Sequence, residues 1–316
     1  MAKIVITGAL GHIGSRFIRT LKPGDFDEVR LIDNLSTQRY ASLFNLPAGV
    51  PYNFIQDDIC TADLAKLFTG ADVVVHMAAA TDAAGSAGRA DEVRKVNFGG
   101  TERVARACVE TGSKMIFFST TSVYGTAKEV VDENCSKEEL KPQSPYAESK
   151  IDAERLLAKL GEGEGLRFVA LRLGTIFGAS VGMRFHTAVN KFIWQAVMGL
   201  PITVWRTALH QKRPYLDLED AVRALNFIIR GSHFDNKLYN VLTTNSTVNE
   251  IIEAIRKHRP DLKIDFVDNA IMNQLSYEVA CDRFKALGFK FQGSLERAVA
   301  DTVALLPSLQ PQCSLS

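Results

Sequence analysis

KIVITGALGHIG, residues 3–14, runs a β-branched stretch into a turn that carries Gly8, Gly11 and Gly14. KIVIT reads as a buried strand and HIGSRFIRTL as the helix that follows it. A turn without Cβ atoms lets a diphosphate approach the backbone from Gly8 through Gly11, His12, Ile13 and Gly14. The helix start then offers N–H donors and a favourable dipole. The spacing is GxxGxxG, a variant of the dinucleotide fingerprint. A glycine-rich turn with no ligand is the plain alternative, and the flanking strand and helix weigh against it.

Outward from this turn, EVRLID is a second strand ending at Asp33, which opens the turn DNLS with Asn34 next to it. An acid there accepts hydrogen bonds from adenosine ribose hydroxyls and repels a 2′-phosphate, which favours NAD over NADP. YNFIQ and ADVVVHM read as further strands. After the first of these, Asp58 can accept from an adenine amino group while Ile59 packs on the ring, although a solvated acidic turn fits equally well. After the second, Ala78, Ala79 and Ala80 leave room for a cofactor where such sheets bind ligands, and His76 reads as a packed strand residue. RADEVRKVNFGGTERVARACVETG is a long helical pattern stopped by Gly112, and KMIFFST and RFVALRL are strands. Strands alternating with helices predict an α/β fold, a doubly wound parallel sheet of Rossmann type. Beyond residue 172 strand signals thin out. The expected organisation is a dinucleotide-binding domain over 1–172, with 214–242 returning to it, and a smaller substrate-binding lobe from 173–213 and 243–316.

The totals narrow the field. The chain has 316 residues, 46% hydrophobic and 23% charged, an ordinary globular balance. With 37 basic and 36 acidic side chains, the net charge of +1 gives no reason to expect nucleic acid or an anionic membrane as partner. Five scattered cysteines without a CxxC suggest reduced thiols and a cytoplasmic setting, and the six histidines show no metal-binding spacing. MAKIVITGALG lacks the pattern of a secretory signal, and ADVVVHMAAA is too short to cross a bilayer.

SPYAESK, residues 144–150, places Tyr146 four positions before Lys150 inside a helical pattern with Ser144 as N-cap and Pro145 at the first turn. On a helix that spacing puts both side chains on one face. A neighbouring ammonium favours phenolate, so Lys150 is expected to lower the pKa of Tyr146, which becomes a usable base beside a nicotinamide. Lys150 is also placed to hold the nicotinamide ribose. A second match, Tyr124 and Lys128, straddles Gly125 and carries no such meaning. FFSTTSVYG, at the end of the preceding strand, supplies Ser119, Thr120, Thr121 and Ser122 as hydroxyl donors.

Together TGALGHIG, DNLS, HMAA, VNFGGT, FFSTTSVYG, SPYAESK, LRLGTIFG and KRPYLDLEDAVRAL resemble the extended short-chain dehydrogenase/reductases, the NAD-dependent group of nucleotide-sugar epimerases, dehydratases and decarboxylases. The resemblance covers nearly the whole chain. It implies Thr120, Tyr146 and Lys150 as the catalytic set, with Thr120 binding the substrate oxygen. It also implies Asn97 on the cofactor side and Arg213 at a substrate diphosphate. Family dehydratases carry an Asp–Glu pair, and decarboxylases a Glu, where Thr121 and Ser122 stand here. A hydroxyl does not replace a carboxylate in general acid–base work, which leaves epimerase or simple reductase. Three features depart from the epimerase pattern: Thr175 in place of the usual Asn, Thr81 in place of a Lys, and no Arg in DNAIMNQLSYEVACD. Arg184, His186 and Arg206 are candidates to compensate.

The leading expectation is an NAD-dependent epimerase acting on a nucleotide-activated hexose through a transient keto sugar. A dehydrogenase or ketoreductase on a hydroxylated small molecule is the alternative within the fold. A non-catalytic NAD-binding sensor or scaffold is the alternative of another class. Aliphatic residues on several faces of the helices near 90–111 and 144–160 suggest a homodimer.

Overall fold

The computed structural model describes residues 2–81, 88–125, 129–136, 139–268 and 276–306. The strands are β1 (Lys3–Thr7), β2 (Glu28–Asp33), β3 (Tyr52–Gln56), β4 (Val73–His76), β5 (Lys114–Thr120), β6 (Val130–Val131), β7 (Phe168–Leu173), β8 (Thr175–Phe177), β9 (Ile202–Trp205), β10 (Lys212–Asp217), β11 (Lys237–Val241), β12 (Thr244–Thr247), β13 (Ile264–Val267) and β14 (Glu278–Val279). The helices are α1 (His12–Ile18), α2 (Leu64–Phe68), α3 (Ala90–Arg94), α4 (Gly100–Thr111), α5 (Pro145–Gly163), α6 (Ala188–Val197), α7 (Leu218–Gly231), α8 (Val248–Arg256), α9 (Asp282–Ala286) and α10 (Leu295–Ala304).

Seven strands form one sheet in the order β11-β7-β5-β4-β1-β2-β3, every pair parallel. The chain steps from β1 outward to β3, then crosses back to β4 on the other side of β1. This reversal opens a crevice at the carboxyl ends of β1 and β4, where ligands bind in such sheets. Alternation along β1 sets the two layers: Ile4 and Ile6 pack with Phe17, Leu225 and Ile228 on one face, and Val5 packs with Val104, Phe117 and Leu157 on the other.

Local chemistry fixes the helices that flank the crevice. Ser144 Oγ accepts from the Ala147 N–H at 3.2 Å and Pro145 starts α5, so the helix carrying Tyr146 and Lys150 begins where its sequence predicts. The long helical pattern that Gly112 ends, with φ +72, contains a π turn at Lys95–Gly99 between α3 and α4. Asn97 sits in that turn.

β10 pairs with β8 and β12 in a separate three-stranded sheet, α7 packs on α1, and β11 edges the main sheet. The segment around α9 packs Phe284 and Phe289 into the core of the main sheet. Phe284 stacks edge-on with Tyr239 at 5.8 Å and with Phe227 at 6.0 Å, and Phe289 contacts Phe227 at 5.5 Å. Such aromatic packing gives the returning chain a hydrophobic anchor that its sequence spacing does not reveal. The smaller core gathers Phe177, Val189, Ile193, Ile252, Ile255, Leu295 and Val299. Among the described residues no helix is long and apolar enough to cross a membrane.

Candidate active site

The glycine turn is built for close approach. Gly8 has φ +68, and a Cβ there would stand 2.6 Å from Ala78 N; at Gly14 one would stand 2.5 Å from Ala9 O. The turn therefore brings the ends of β1 and β4 together in a way no side chain permits. Asp33 steadies it, accepting the Leu10 N–H at 3.1 Å and the Leu35 N–H at 2.9 Å. A carboxylate has about four acceptor positions, so two remain for a ribose. Asn34 Nδ2 donates to Asp58 at 3.0 Å, and Asp58 also takes the Cys60 N–H at 2.8 Å. Burial works to raise the Asp58 carboxyl, but these bonds hold it below its ordinary range. Ile59 is 5% exposed and packs on Gly100, so the side chain expected against an adenine is engaged with α4.

Basic groups converge on the same turn. His12 Nδ1 bonds Ser180 Oγ at 2.7 Å, while its buried Nε2 has no partner among the described residues. Burial, aided by Arg39, His186 and Arg184, drops His12 to about 3. Arg39 is lowered to about 10, by burial first and then by Arg184, against the opposing field of Asp33. Arg184 Nη1 donates to Thr81 Oγ1 at 2.6 Å, bringing a cation to the position where Thr81 stands for Lys. An imidazole nitrogen left open, basic side chains and a turn with glycine at 8, 11 and 14 fit a diphosphate.

A buried polar chain sets the shelf after β4. Thr101 Oγ1 donates to Asn97 O at 2.5 Å, so it accepts from His76 Nε2–H at 3.0 Å, and His76 Nδ1 accepts from Thr7 Oγ1 at 2.8 Å. Burial, with a smaller contribution from Lys150, holds His76 near 3 and therefore neutral. The Asn97 amide takes the Ala80 N–H at 2.8 Å and donates to Ala80 O at 3.0 Å. Ala78, Ala79 and Ala80 stay half-buried along the crevice.

Thr120, Tyr146 and Lys150 meet at the end of β5. Lys150 is 3% exposed; its Nζ donates to Phe118 O at 2.8 Å and lies 4.7 Å from the Phe117 ring centroid and 6.0 Å from that of Tyr146. Thr120 bonds Tyr146, and its Oγ1 also accepts the Ser122 N–H at 3.1 Å. The expected lowering of the phenol is not what this arrangement gives. Burial pushes Tyr146 up to about 12, the Thr120 bond opposing, and burial brings Lys150 down to about 7, with Glu154 opposing. Removal from water outweighs the Thr120 bond at the phenol and the Glu154 field at the ammonium.

The other expected residues divide. Ser119 turns away from the crevice, donating to Glu154 Oε1 at 2.5 Å. Thr121 Oγ1 donates to Leu173 O at 3.2 Å, Ser122 is exposed, and Thr175 is half-buried beside Tyr215 on β10. Arg213 lies 5.1 Å from the Tyr277 ring, and Tyr277 Oη donates to Thr121 O at 3.2 Å, which ties this arginine to the catalytic loop. His186 is exposed near His12. Arg206, on the turn after β9, is 61% exposed, pairs with Asp268 and lies 5.0 Å from the Phe266 ring centroid. Lys128, and residues 269–275 of the segment without arginine, fall outside the described residues. Sequence reasoning missed Arg39, Ser180 and Glu154. Arg39 follows the acidic turn by a few residues and was findable; Ser180 and Glu154 carry no local signal.

The family model for the NAD dependent epimerase/dehydratase family matches residues 4–241. The chain is 30% identical over 246 residues to the uncharacterized UDP-glucose epimerase YtcB of Bacillus subtilis (strain 168), covering 76% of each. It is 29% identical to a trifunctional UDP-glucose 4,6-dehydratase/UDP-4-keto-6-deoxy-D-glucose 3,5-epimerase/UDP-4-keto-L-rhamnose-reductase of Arabidopsis thaliana, over 95% of this chain and 46% of that protein, so it spans about half that relative's length. A solved UDP-N-acetylglucosamine 4-epimerase from Methanobrevibacter ruminantium M1, in complex with UDP-N-acetylmuramic acid, superposes with a TM-score of 0.85 at 26% identity, covering 97% of this chain and 98% of that one. With the matched region running from β1 through β11 and holding the glycine turn, Asp33, Thr120, Tyr146 and Lys150, the chain belongs to the NAD dependent epimerase/dehydratase family.

Proposed function

We propose that the protein is an NAD-dependent epimerase of a nucleotide-activated hexose. The supporting observation is a Thr120–Tyr146–Lys150 set beside a loop, Thr121–Ser122, that has no acid to eliminate water. The backbone of Gly8–Gly14, Asp33, His12, Arg39 and the Ala78–Ala80 shelf would hold the dinucleotide, and Arg213 and Arg184 would meet the substrate's diphosphate. NAD, when bound, accepts hydride from the sugar carbon and returns it to the opposite face.

The chain's own part is the proton. Tyr146 Oη takes it from the ring hydroxyl, with Thr120 fixing the substrate oxygen. A charged Lys150, 6.0 Å from the Tyr146 ring centroid, would favour the phenolate that this step needs, against the burial that raises Tyr146 and lowers Lys150. The same proton returns when the keto sugar is reduced on its other face.

The similarity to UDP-sugar epimerases supports a UDP-sugar as the first substrate class to try. Purified protein incubated with a UDP-sugar panel and no added reductant should give a new stereoisomer by NMR without net change in nicotinamide absorbance. Tyr146→Phe should lower kcat by about 10²–10⁴-fold. Turnover that consumes cofactor in step with substrate, or a Phe variant with wild-type kcat, would overturn the assignment. A cytoplasmic homodimer is the finer reading. Exposed Arg94–Asp152, Arg106–Glu164 and Arg155–Asp152 ion pairs link α3, α4 and α5, and a one-chain mass in solution removes the dimer.

A further inference from the structure

Glu154 is a buried carboxylate, 6% exposed, one helical turn beyond Lys150, and the proton chemistry above does not use it. Lys150 and Glu154 hold successive residues of β5: Lys150 donates to the Phe118 carbonyl at 2.8 Å and Ser119 Oγ donates to Glu154 at 2.5 Å. The same carboxylate takes two N–H bonds from Arg172 on β7, at 2.9 and 2.6 Å. Arg172 also donates to Tyr124 Oη at 2.9 Å, Tyr124 to Asn240 Oδ1 at 2.8 Å, and Asn240 Nδ2 to Ala280 O at 2.9 Å. One carboxylate thus fixes the strand end, the catalytic helix and the loop before Gly125 relative to one another. Apolar side chains of similar size would serve cohesion as well as a buried ion pair does, so the charge itself calls for a use.

We propose that Glu154 is a positioning residue for the reaction: held by Ser119 and Arg172, its carboxylate supplies the negative field that keeps Lys150 charged on the Phe118 carbonyl beside Tyr146. This rests on the reading of Tyr146 and Lys150 as the acid–base pair. Among the described residues, the titratable and charged groups facing Lys150 are Tyr146 and Glu154 on α5, His76 on β4, and Arg172 behind the carboxylate on β7. Of these Glu154 is the acid. Burial works to discharge Lys150 and Glu154 opposes it. Arg172 is held charged by the same carboxylate, whose two bonds more than offset its burial.

The test follows the Lys150 charge directly. In full-length protein carrying ¹³C at lysine Cε, the Lys150 resonance is assigned by its loss in Lys150→Met and titrated with pH. Glu154→Gln keeps an acceptor for Ser119 and deletes the charge. Because it also strands the Arg172 guanidinium, the double variant Glu154→Gln/Arg172→Met removes both charges and guards against loss of the fold. Expected in both is a Lys150 midpoint lower by about one pH unit, with the alkaline limb of kcat/KM moving the same way, KM little changed, and partial recovery in Glu154→Asp. A midpoint and limb that stay at the wild-type pH in both variants, whatever happens to stability, reduce Glu154 to a structural residue and overturn the proposal. Wild-type turnover in Lys150→Met sinks the acid–base reading instead, while the NMR midpoint still reports on Glu154 by itself.

Discussion

His76 shows how much one side chain can couple. It is 1% exposed, bonded at both nitrogens, and held near 3 against an ordinary 6.5. Below about pH 6.5 the unfolded chain takes up a proton that the folded chain refuses until about pH 3. Stability is therefore full above this window and falls as pH drops through it, with a limiting slope of about 1.4 kcal/mol per pH unit for one proton. His12, lowered to about the same value, acts in the same direction. Urea midpoints measured from neutrality down to about pH 4.5 should fall, and His76→Gln, which keeps a donor and an acceptor, should flatten the curve. Parallel curves would contradict this. At this scale the sequence was informative about Tyr146, Lys150, Asp33 and the packed reading of His76, all of which sit in spaced motifs. The Arg206–Asp268 pair and the raised Tyr146 were not legible, since exposure and desolvation depend on tertiary neighbours that spacing does not encode.

Among elements, the glycine turn meets the segment after β8 in close contact. A Cβ on Gly182 would stand 2.4 Å from Leu10 O and 2.6 Å from Gly11 O, and the Gly182 N–H donates to Ser15 Oγ at 3.0 Å. Ser15 Oγ in turn reaches Ser180, the partner of His12. Contacts below 3 Å to backbone oxygens cannot be relieved by a rotamer change, so Gly182→Ala must push this segment off the turn. The variant should purify with markedly less bound nicotinamide dinucleotide, at nearly unchanged far-UV circular dichroism. Gly163→Ala, at a glycine with open space around it, serves as the control. Equal cofactor content in both would show that the segment does not help retain it. The strands and main helices were legible because burial on a parallel sheet writes continuous apolar runs. The π turn at Lys95–Gly99 and the Ser180–Gly182 contact were not, because each depends on a partner far along the chain.

For the whole molecule, the question is whether two lobes mean two cooperative units. The smaller core around Ile252, Ile255 and Val299 is separate from the main one, and on composition alone could melt independently. Three connections argue otherwise. The chain leaves the main sheet at β7 and returns to it at β11; the α9 segment inserts Phe284 and Phe289 into the main core; and Asp220 on α7 accepts the Gln292 and Gly293 N–H groups at 2.9 Å each. Phe284 is fully buried, so pulling the smaller lobe away would open the main core as well. Calorimetry should accordingly show one transition with matching calorimetric and van't Hoff enthalpies. Phe284→Ala should lower its midpoint by destabilising the whole protein by about 3–5 kcal/mol, without splitting it. Two resolved transitions in the wild type, or a Phe284→Ala effect confined to one of them, would mean that the lobes fold apart and that the aromatic insertion is a contact rather than a joint.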